Sequence, residues 1–475
     1  MKKLIALLLA LVMVVSLAAC GAKSEAPAKE PAAETPVAET PAVEAPAAEE
    51  PKEEVTLHLH MSTSIKKHDL IQRIADQYFE ETGVKVIVDA SVGSSDYRTK
   101  NTLMIQDPNT APDIVLEDGF LVKTDSSAGY LLNLDNYLAQ WDEYAQFNES
   151  LAAAGQGVDG SMYALPVSTD CQVIWYNADV TEAAGLGRVW QPQSWQDVLD
   201  AANAMKKAFA NDPDFIPMFQ WASTAKVENA SMRTFQVLYA GTGSDLYDYE
   251  SGQWIVDYAA LKETLTFIDQ AWNEDELCSL ELASNTDADS VLATDLLPNG
   301  KVGMAFTGST LTKTGLGGSL VDVWGPMVLD GTINYAYIPS QNGPDYVTMC
   351  GGWTWAIPTY AKNPDAAWEF IKYMNQPEYL AEYSLDSSLP IRNDVWTSET
   401  WSNQTYVELN AGFQKALEFA KFRDAVDGYN TVTNMYAAVI ENVAFDLMSV
   451  DEAIENFEIE MVASMGADLV KVINK

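Results

Sequence analysis

From residue 55 onwards the chain switches repeatedly between two hydrophobic periods. Residues 55–61 (VTLHLHM) alternate apolar and polar side chains, the period of a strand with one buried face. Residues 69–81 then place Leu70, Ile71, Ile74, Ala75, Tyr78 and Phe79 on one helical face, which stops at Gly83. The pattern predicts a second strand over 84–88, a helix over 97–106 and a third strand over 112–116. A β-α-β-α-β start predicts a parallel sheet with helices on its faces. Farther along, Ser194 stands three residues before Asp197 and Ser449 three before Glu452, the spacing of capping boxes, while Asn363 precedes a proline suited to the first helical position. Helical periodicity dominates from Trp401 to the end. The reading is α/β, with a helix-rich C-terminal third.

The first 54 residues follow neither period. Lys2 and Lys3 precede an apolar run over 4–17, and Ala18 and Ala19 stand directly before Cys20. The run is short for a membrane span and reads as an export signal, 1–19. Small residues before a cysteine resemble the bacterial lipobox, in which Cys20 would carry a diacylglyceryl anchor; an ordinary secretory signal is the alternative. Two acyl chains, at ~0.8 kcal/mol per buried CH₂, hold a protein durably on a membrane. Residues 20–54 then collapse to Ala, Pro, Glu and Thr in near-repeats, a composition that cannot bury a core and predicts a disordered tether of up to ~100 Å.

The whole chain has 475 residues, enough for two or three folding units. Its net charge of −40 opposes any binding to a nucleic-acid backbone and excludes that class. The 13 Trp, 21 Tyr and 15 Phe exclude global disorder for the body. Four cysteines cannot staple a chain of this length; Cys171, Cys278 and Cys350 leave one thiol over if Cys20 is lipidated, and a disulfide between Cys171 and Cys350, or with Cys278, is left open.

Four stretches together resemble the extracellular solute-binding proteins of ABC importers, in particular the maltose-binding-protein-like, carbohydrate-binding group. They are APDIV at 111–115; YALPVSTDCQVIWYN at 163–177 followed by PQSWQD at 192–197; GKVGMAFTG at 300–308; and GGWTWAI at 351–357 running into KNPDAAWEFI at 362–371. The resemblance implies a two-lobed periplasmic-binding-protein-like fold with both lobes discontinuous in sequence: 55–168 plus about 339–384 in lobe 1, about 172–335 plus 389–475 in lobe 2. Chain crossings are expected near 168–172, 334–339 and 384–390, with the ligand cleft between the lobes. It further implies a monomeric receptor whose partners are a carbohydrate, foremost an oligosaccharide, and the permease subunits of the transporter, working at the outer face of the cell membrane.

Ligands of open parallel sheets sit beyond the carboxyl ends of the strands. Glu117 and Asp118, directly after the third strand, are therefore candidates, since a carboxylate can accept from two neighbouring sugar hydroxyls; solvated surface is the competing role in so acidic a chain. Ser62 and Thr63 follow the first strand and could equally cap a helix. The resemblance places Asp170 at a sugar-binding carboxylate, against a role in shaping the hinge turn. Aromatic planes match the C–H faces of sugars, and by the resemblance Trp353, after its glycine pair, and Trp221 belong among them. Trp355 would share the strand face of Trp353. Trp195, Trp272 and Trp368 read as helix core. Gly308 and Ser309 offer an N–H or hydroxyl. Arg392, in a family-like LP.R segment, could donate in a fork, with a salt bridge as the competing role.

Little points to catalysis. The only histidines, His58, His60 and His68, crowd into one N-terminal stretch, no third ligand completes a metal set around His58 and His60, and no phosphate loop is present. No cofactor or metal is expected. A surface glycoside hydrolase, an adhesive lipoprotein, and the same fold holding a peptide or another solute are the alternatives.

Overall fold

The computed structural model describes residues 55–475 apart from 63–64, 92–93, 317–319, 386–387 and 425. The expected signal, Cys20, the tether and Thr63 lie outside the described residues. The body is built on two principal sheets. The first runs, in spatial order, Lys85–Ser91, Thr56–Ser62, Ile114–Asp118, Gly352–Ala356 and Ala164–Thr169. Its first three strands are parallel, as the β-α-β-α-β pattern requires, and Gly352–Ala356 enters antiparallel to both neighbours. Helix Ile65–Thr82 buries Leu70, Ile71, Ile74, Ala75 and Tyr78 against this sheet, together with Trp355, Trp368 and Phe370. Phe79, expected on that face, is 51% exposed, because it sits one position past the edge of the buried stripe.

The second sheet runs Ile333–Ala336, Gln172–Asn177, Val302–Gly308 and Ile216–Phe219. Gln172–Asn177 and Val302–Gly308 are buried along their whole length, consistent with cores on both faces. One face packs on helices Trp195–Ala208, Tyr258–Asp269, Tyr429–Ala444 and Val450–Met465; the other holds Trp175, Phe219, Trp221, Trp324 and Phe413. Both capping boxes form, at Ser194/Asp197 and Ser449/Glu452, and Pro364 opens helix Pro364–Met374. A small sheet of Ile338–Pro339, Tyr346–Cys350 and Ala420–Phe422, and another of Tyr247–Asp248, Gln253–Asp257 and Val470–Ile473, complete the second half.

The chain leaves the first sheet at Thr169 and enters the second at Gln172. The return differs from expectation. Ile338, Val347 and Met349 pack in the core of the second sheet and Tyr346–Cys350 pairs with Ala420–Phe422, so residues 339–350 belong to the second lobe and the chain goes back at Gly351, not near 334–339. The third crossing is also displaced. Leu389 bridges Thr169, but Ile391 and Val395 pack into the first core and Arg392 bonds there, whereas Leu409 and Phe413 belong to the second; the chain crosses between Ser402 and Val407 instead of near 384–390. The apolar pattern of 389–396 is the same for either lobe, and three acceptors for one guanidinium decided between them.

The crossing strands are held at several points. Thr169 Oγ1 donates to the Gly351 carbonyl (2.8 Å), Gly351 N–H to Asp170 Oδ1 (2.9 Å), and the Gln172 N–H to Thr348 Oγ1 (2.6 Å). A Cβ on Gly352 would stand 2.2 Å from the Ser168 carbonyl oxygen, closer than any side chain tolerates. Gly352→Ala is therefore expected to destabilise the body by ~1–3 kcal/mol or more, lowering Tm by several degrees in calorimetry; a Tm within a degree of wild type would show that this strand can shift.

Candidate ligand cleft

A cavity of about 980 Å³ opens where the two halves meet. The first half contributes the loop after Ile114–Asp118, with Gly119, Phe120 and Lys123, the loop 153–160, and Gly351–Gly352; the second contributes Tyr247–Trp254, Phe422–Thr431 and Ser464–Leu469. Its walls are rich in aromatic planes and glycine. Tyr247 stands edge-on to both Trp254 and Tyr249, each pair 5.0 Å between ring centres. Near the floor, the glycine backbone of the hinge leaves room for a guanidinium, with Arg423 Nη2 3.1 Å from where a Gly351 Cβ would stand.

That guanidinium joins the two halves. Arg423 Nη1 donates to Glu228 Oε1 at 2.7 Å and Nη2 to Asp118 Oδ1 at 3.3 Å, while Arg98 holds the other Asp118 oxygen with Nη2 at 2.6 Å and Nε at 3.1 Å. Glu228 is fixed in turn by the hydroxyls of Tyr429 and Thr433, both at 2.9 Å. The Phe120 ring receives both cations, Arg98 at 5.3 Å and Arg423 at 4.8 Å, a cation–π arrangement on one ring. Burial works against the charge on Arg423, but the carboxylates of Glu228 and Asp118 outweigh it and keep the group protonated. At the rim, Lys123 Nζ donates to Tyr249 Oη at 3.1 Å and Tyr249 Oη donates to Asp424 at 2.9 Å. Burial lowers Lys123 and pushes Asp424 up to about 6.

Beneath Asp118 lies a second acidic group that faces inward. Glu117 is 1% exposed, accepts from Asn101 Nδ2 at 2.5 Å, and is raised well above the ordinary carboxyl range by burial, then by Asp125 and Asp118. Asp125, also buried, is pushed up to about 6 by burial. Asn101 also bonds His60, whose pKa burial lowers. Among the described residues no group of three His, Cys, Asp or Glu could hold a metal ion.

The structure divides the residues expected from sequence. Asp118 is brought into the cross-cleft network, and Trp353 lies half-buried beside it, 6.0 Å from Tyr97 with Arg98 over its ring at 5.7 Å. Asp170 spends one oxygen on the Gly351 N–H, the turn-shaping role. Trp355 and Trp221 are core, 0% and 1% exposed: the first packs under the first sheet, the second edge-on to Phe219 at 5.2 Å. Strand alternation does put Trp353 and Trp355 on one face, but that face turns into the core as it leaves the hinge. Trp195, Trp272 and Trp368 are buried in the cores. Glu117 is sealed beneath the cleft. Arg392, 1% exposed, is consumed by Asp394, Glu143 and the Asn375 carbonyl in the first lobe. Gly308 gives its carbonyl to Trp175 Nε1, Ser309 exchanges hydrogen bonds with Cys171, and Ser62 ends its strand opposite Ser91; none of the three lines the cavity. Cys171, Cys278 and Cys350 are free thiols.

Arg423, Glu228, Arg98, Lys123, Phe120, Tyr247 and Tyr249 were not read from the sequence. One signal was available: the chain has six arginines against 68 acidic residues, so an arginine in the C-terminal third is a scarce group with a choice of partners.

Two α/β halves, three chain crossings and a cavity between them define a two-lobed architecture in which a molecule held in the cavity would touch both sides. A model of the bacterial extracellular solute-binding protein family matches residues 64–381, and the chain belongs to that family. It is thus a solute-binding protein rather than a hydrolase. Among curated relatives, the sn-glycerol-3-phosphate-binding periplasmic protein of Agrobacterium fabrum is 29% identical over 101 residues, which are 21% of this chain and only 20% of that protein. The maltooligosaccharide ABC transporter solute-binding lipoprotein of Streptococcus pneumoniae serotype 4 is 23% identical over 313 residues, 64% of each chain. Among solved structures, the cyclic α-maltosyl-1,6-maltose binding protein of Arthrobacter globiformis superposes with a TM-score of 0.70 at 20% identity, over 87% of this chain and 99% of that one, which establishes the two-lobed fold.

The buried acids set a pH dependence. A carboxyl raised from 3.8 to about 6 on folding takes up a proton in the folded state before the unfolded state does, so stability is gained as pH falls from 6 to about 4, is fully present below 4, and is lost as pH rises back through 6. Asp125→Asn removes this burden. It is expected to raise Tm at pH 7 and leave it unchanged near pH 4 in paired melting curves; an equal shift at both pH values would exclude ionisation as the cause.

Proposed function

We propose that this protein captures an uncharged carbohydrate, foremost an oligosaccharide, in the cleft between its lobes and hands it to the permease of an ABC importer, tethered to the membrane through a lipid on Cys20. The observation that carries the reading is the cavity itself. It is large enough for several sugar rings, its aromatic planes suit C–H faces, and its cations already have partners: Arg423 is held by Glu228 and Asp118, and Lys123 by Tyr249. Of the two cations that line the cavity, Arg423 is ion-paired to Glu228 and Asp118, and Lys123, whose charged form burial disfavours, is bonded to the Tyr249 hydroxyl, so the cleft is better matched to hydroxyl groups than to a phosphate or carboxylate. The pneumococcal and Arthrobacter relatives, named for maltooligosaccharide and cyclic maltosyl-maltose, support the same class. Binding would draw the lobes together because ligand touching both favours the closed state. Asp170, Trp353 and Asp118 then shape the cavity from behind rather than forming its wall.

A thermal-shift panel of neutral mono- and oligosaccharides, sn-glycerol-3-phosphate and short peptides tests this. At ~100-fold above Kd a true ligand adds ~2.7 kcal/mol to stability. The expected result is a shift with neutral oligosaccharides that Tyr247→Ala and Phe120→Ala each weaken at least tenfold in affinity, with no product released. A shift from the phosphate or the peptides alone would keep the family and overturn the ligand class.

A further inference from the structure

We propose that Arg423 is a positioning residue that closes the cleft from within the protein, so that a charge clasp, and not the ligand alone, sets the population of the closed state. Four charged groups stand in line across the cleft: Arg98 and Asp118 on the first lobe, Arg423 and Glu228 on the second. The bond lengths rank them. Within each lobe the ion pair is short, 2.6 Å for Arg98 with Asp118 and 2.7 Å for Arg423 with Glu228, whereas the contact between lobes is 3.3 Å. The inner pairs are anchored independently of that contact, Arg98 by a two-point hold on one oxygen and Glu228 by the hydroxyls of Tyr429 and Thr433.

This order makes the clasp reversible. Breaking a buried ion pair is costly when it strands one charge. Here, separating Arg423 from Asp118 strands neither, since Asp118 keeps Arg98 and Arg423 keeps Glu228. The lobes can part without leaving a bare ion, and they regain a charge contact in a poorly hydrated site whenever they meet. Phe120 adds to the seal: its ring belongs to the first lobe, yet Arg423 and Tyr429 of the second lie against it at 4.8 and 5.8 Å. A second contact of the same kind stands at the rim, where Lys123 of the first lobe lies 4.8 Å over the ring of Tyr249 of the second, itself bonded to Asp424. Both Arg423 and Lys123 line the cavity, so they grip its two ends.

One consequence separates this mechanism from closure by ligand alone. Salt stabilises the charges that face water once the lobes part more than it does the buried contact, so the closed fraction of the empty protein falls as salt rises, and apparent affinity falls with it even when the ligand carries no charge. Electron–electron resonance distances between spin labels at Leu103→Cys and Ile459→Cys, exposed sites on opposite lobes, in a Cys278→Ser background, read this directly without ligand. A short-distance population is expected at 20 mM NaCl, falling at least twofold at 500 mM. Arg423→Gln should lower it at 20 mM and flatten the salt response, and Arg423→Lys should restore part of both. A distance distribution indifferent to salt and to Arg423→Gln would overturn the clasp; if that variant does not fold, a salt-indifferent wild-type distribution does so alone. Because no ligand enters the measurement, a clasp seen in a protein that ignores every sugar would stand while the carbohydrate reading fell.

Discussion

Everything in this molecule depends on how closely two chain crossings approach each other. At 169–172 and 348–352 the backbone passes between the sheets twice, side by side, with the Gly351 N–H on Asp170, the Gly351 carbonyl on Thr169 and the Gln172 N–H on Thr348. The approach leaves no space for a Cβ at Gly352 and little at Gly351, where the guanidinium of Arg423 fills the gap. The glycine pair therefore does two things with one property. Its missing side chains let the hinge strands touch, and they admit a charged group from the other lobe to the floor of the cleft. Asp170 belongs to the same arrangement, holding the turn from which both sheets diverge.

Charge gives the cleft its character in an unusual way. In a chain of net charge −40 acidic partners are plentiful, and Arg423 in the cleft is ion-paired to two of them while Lys123 is bonded to a tyrosine hydroxyl. The electrostatics of the site are thereby turned inward, toward Asp118, Glu228 and Tyr249, and its walls are left to aromatic rings and backbone. Ion pairs of this depth are poor sources of net stability, because desolvation offsets most of their attraction. They are good at fixing geometry, and here the geometry they fix is that of one lobe against the other. The buried acids Glu117 and Asp125 lie close to the same strand end, and burial raises both, whereas Asp118 beside them is ion-paired to Arg98 and Arg423.

The sequence carried the local elements well. Alternation at 55–61, the helical stripe of 69–81 and the two capping boxes each depend on neighbours within a few residues, and each is present in the structure. The second and third crossings were misplaced for the opposite reason. A strand such as Tyr346–Cys350 is apolar whichever core receives it, and only its pairing with Ala420–Phe422, more than 70 residues later, assigns it to the second lobe. Trp355 and Trp221 fell to the same ambiguity: a tryptophan beside a glycine pair, or after an apolar run, is equally suited to a core and to a sugar.

What the sequence determined by itself, then, was the class: an α/β chain with motifs in the order of the solute-binding family, far too acidic for nucleic acid and without a plausible catalytic set. What only tertiary structure decided was which side chains meet. Arg98, Asp118, Glu228 and Arg423 are spread over more than 300 residues, and nothing local distinguishes Arg423 from Arg392. One is sealed against Asp394 and Glu143 in the first lobe, the other reaches across the cleft. Secondary structure is a short-range property and leaves its period in the chain; a binding site is a set of long-range distances, and those exist only once the sheets have been brought together.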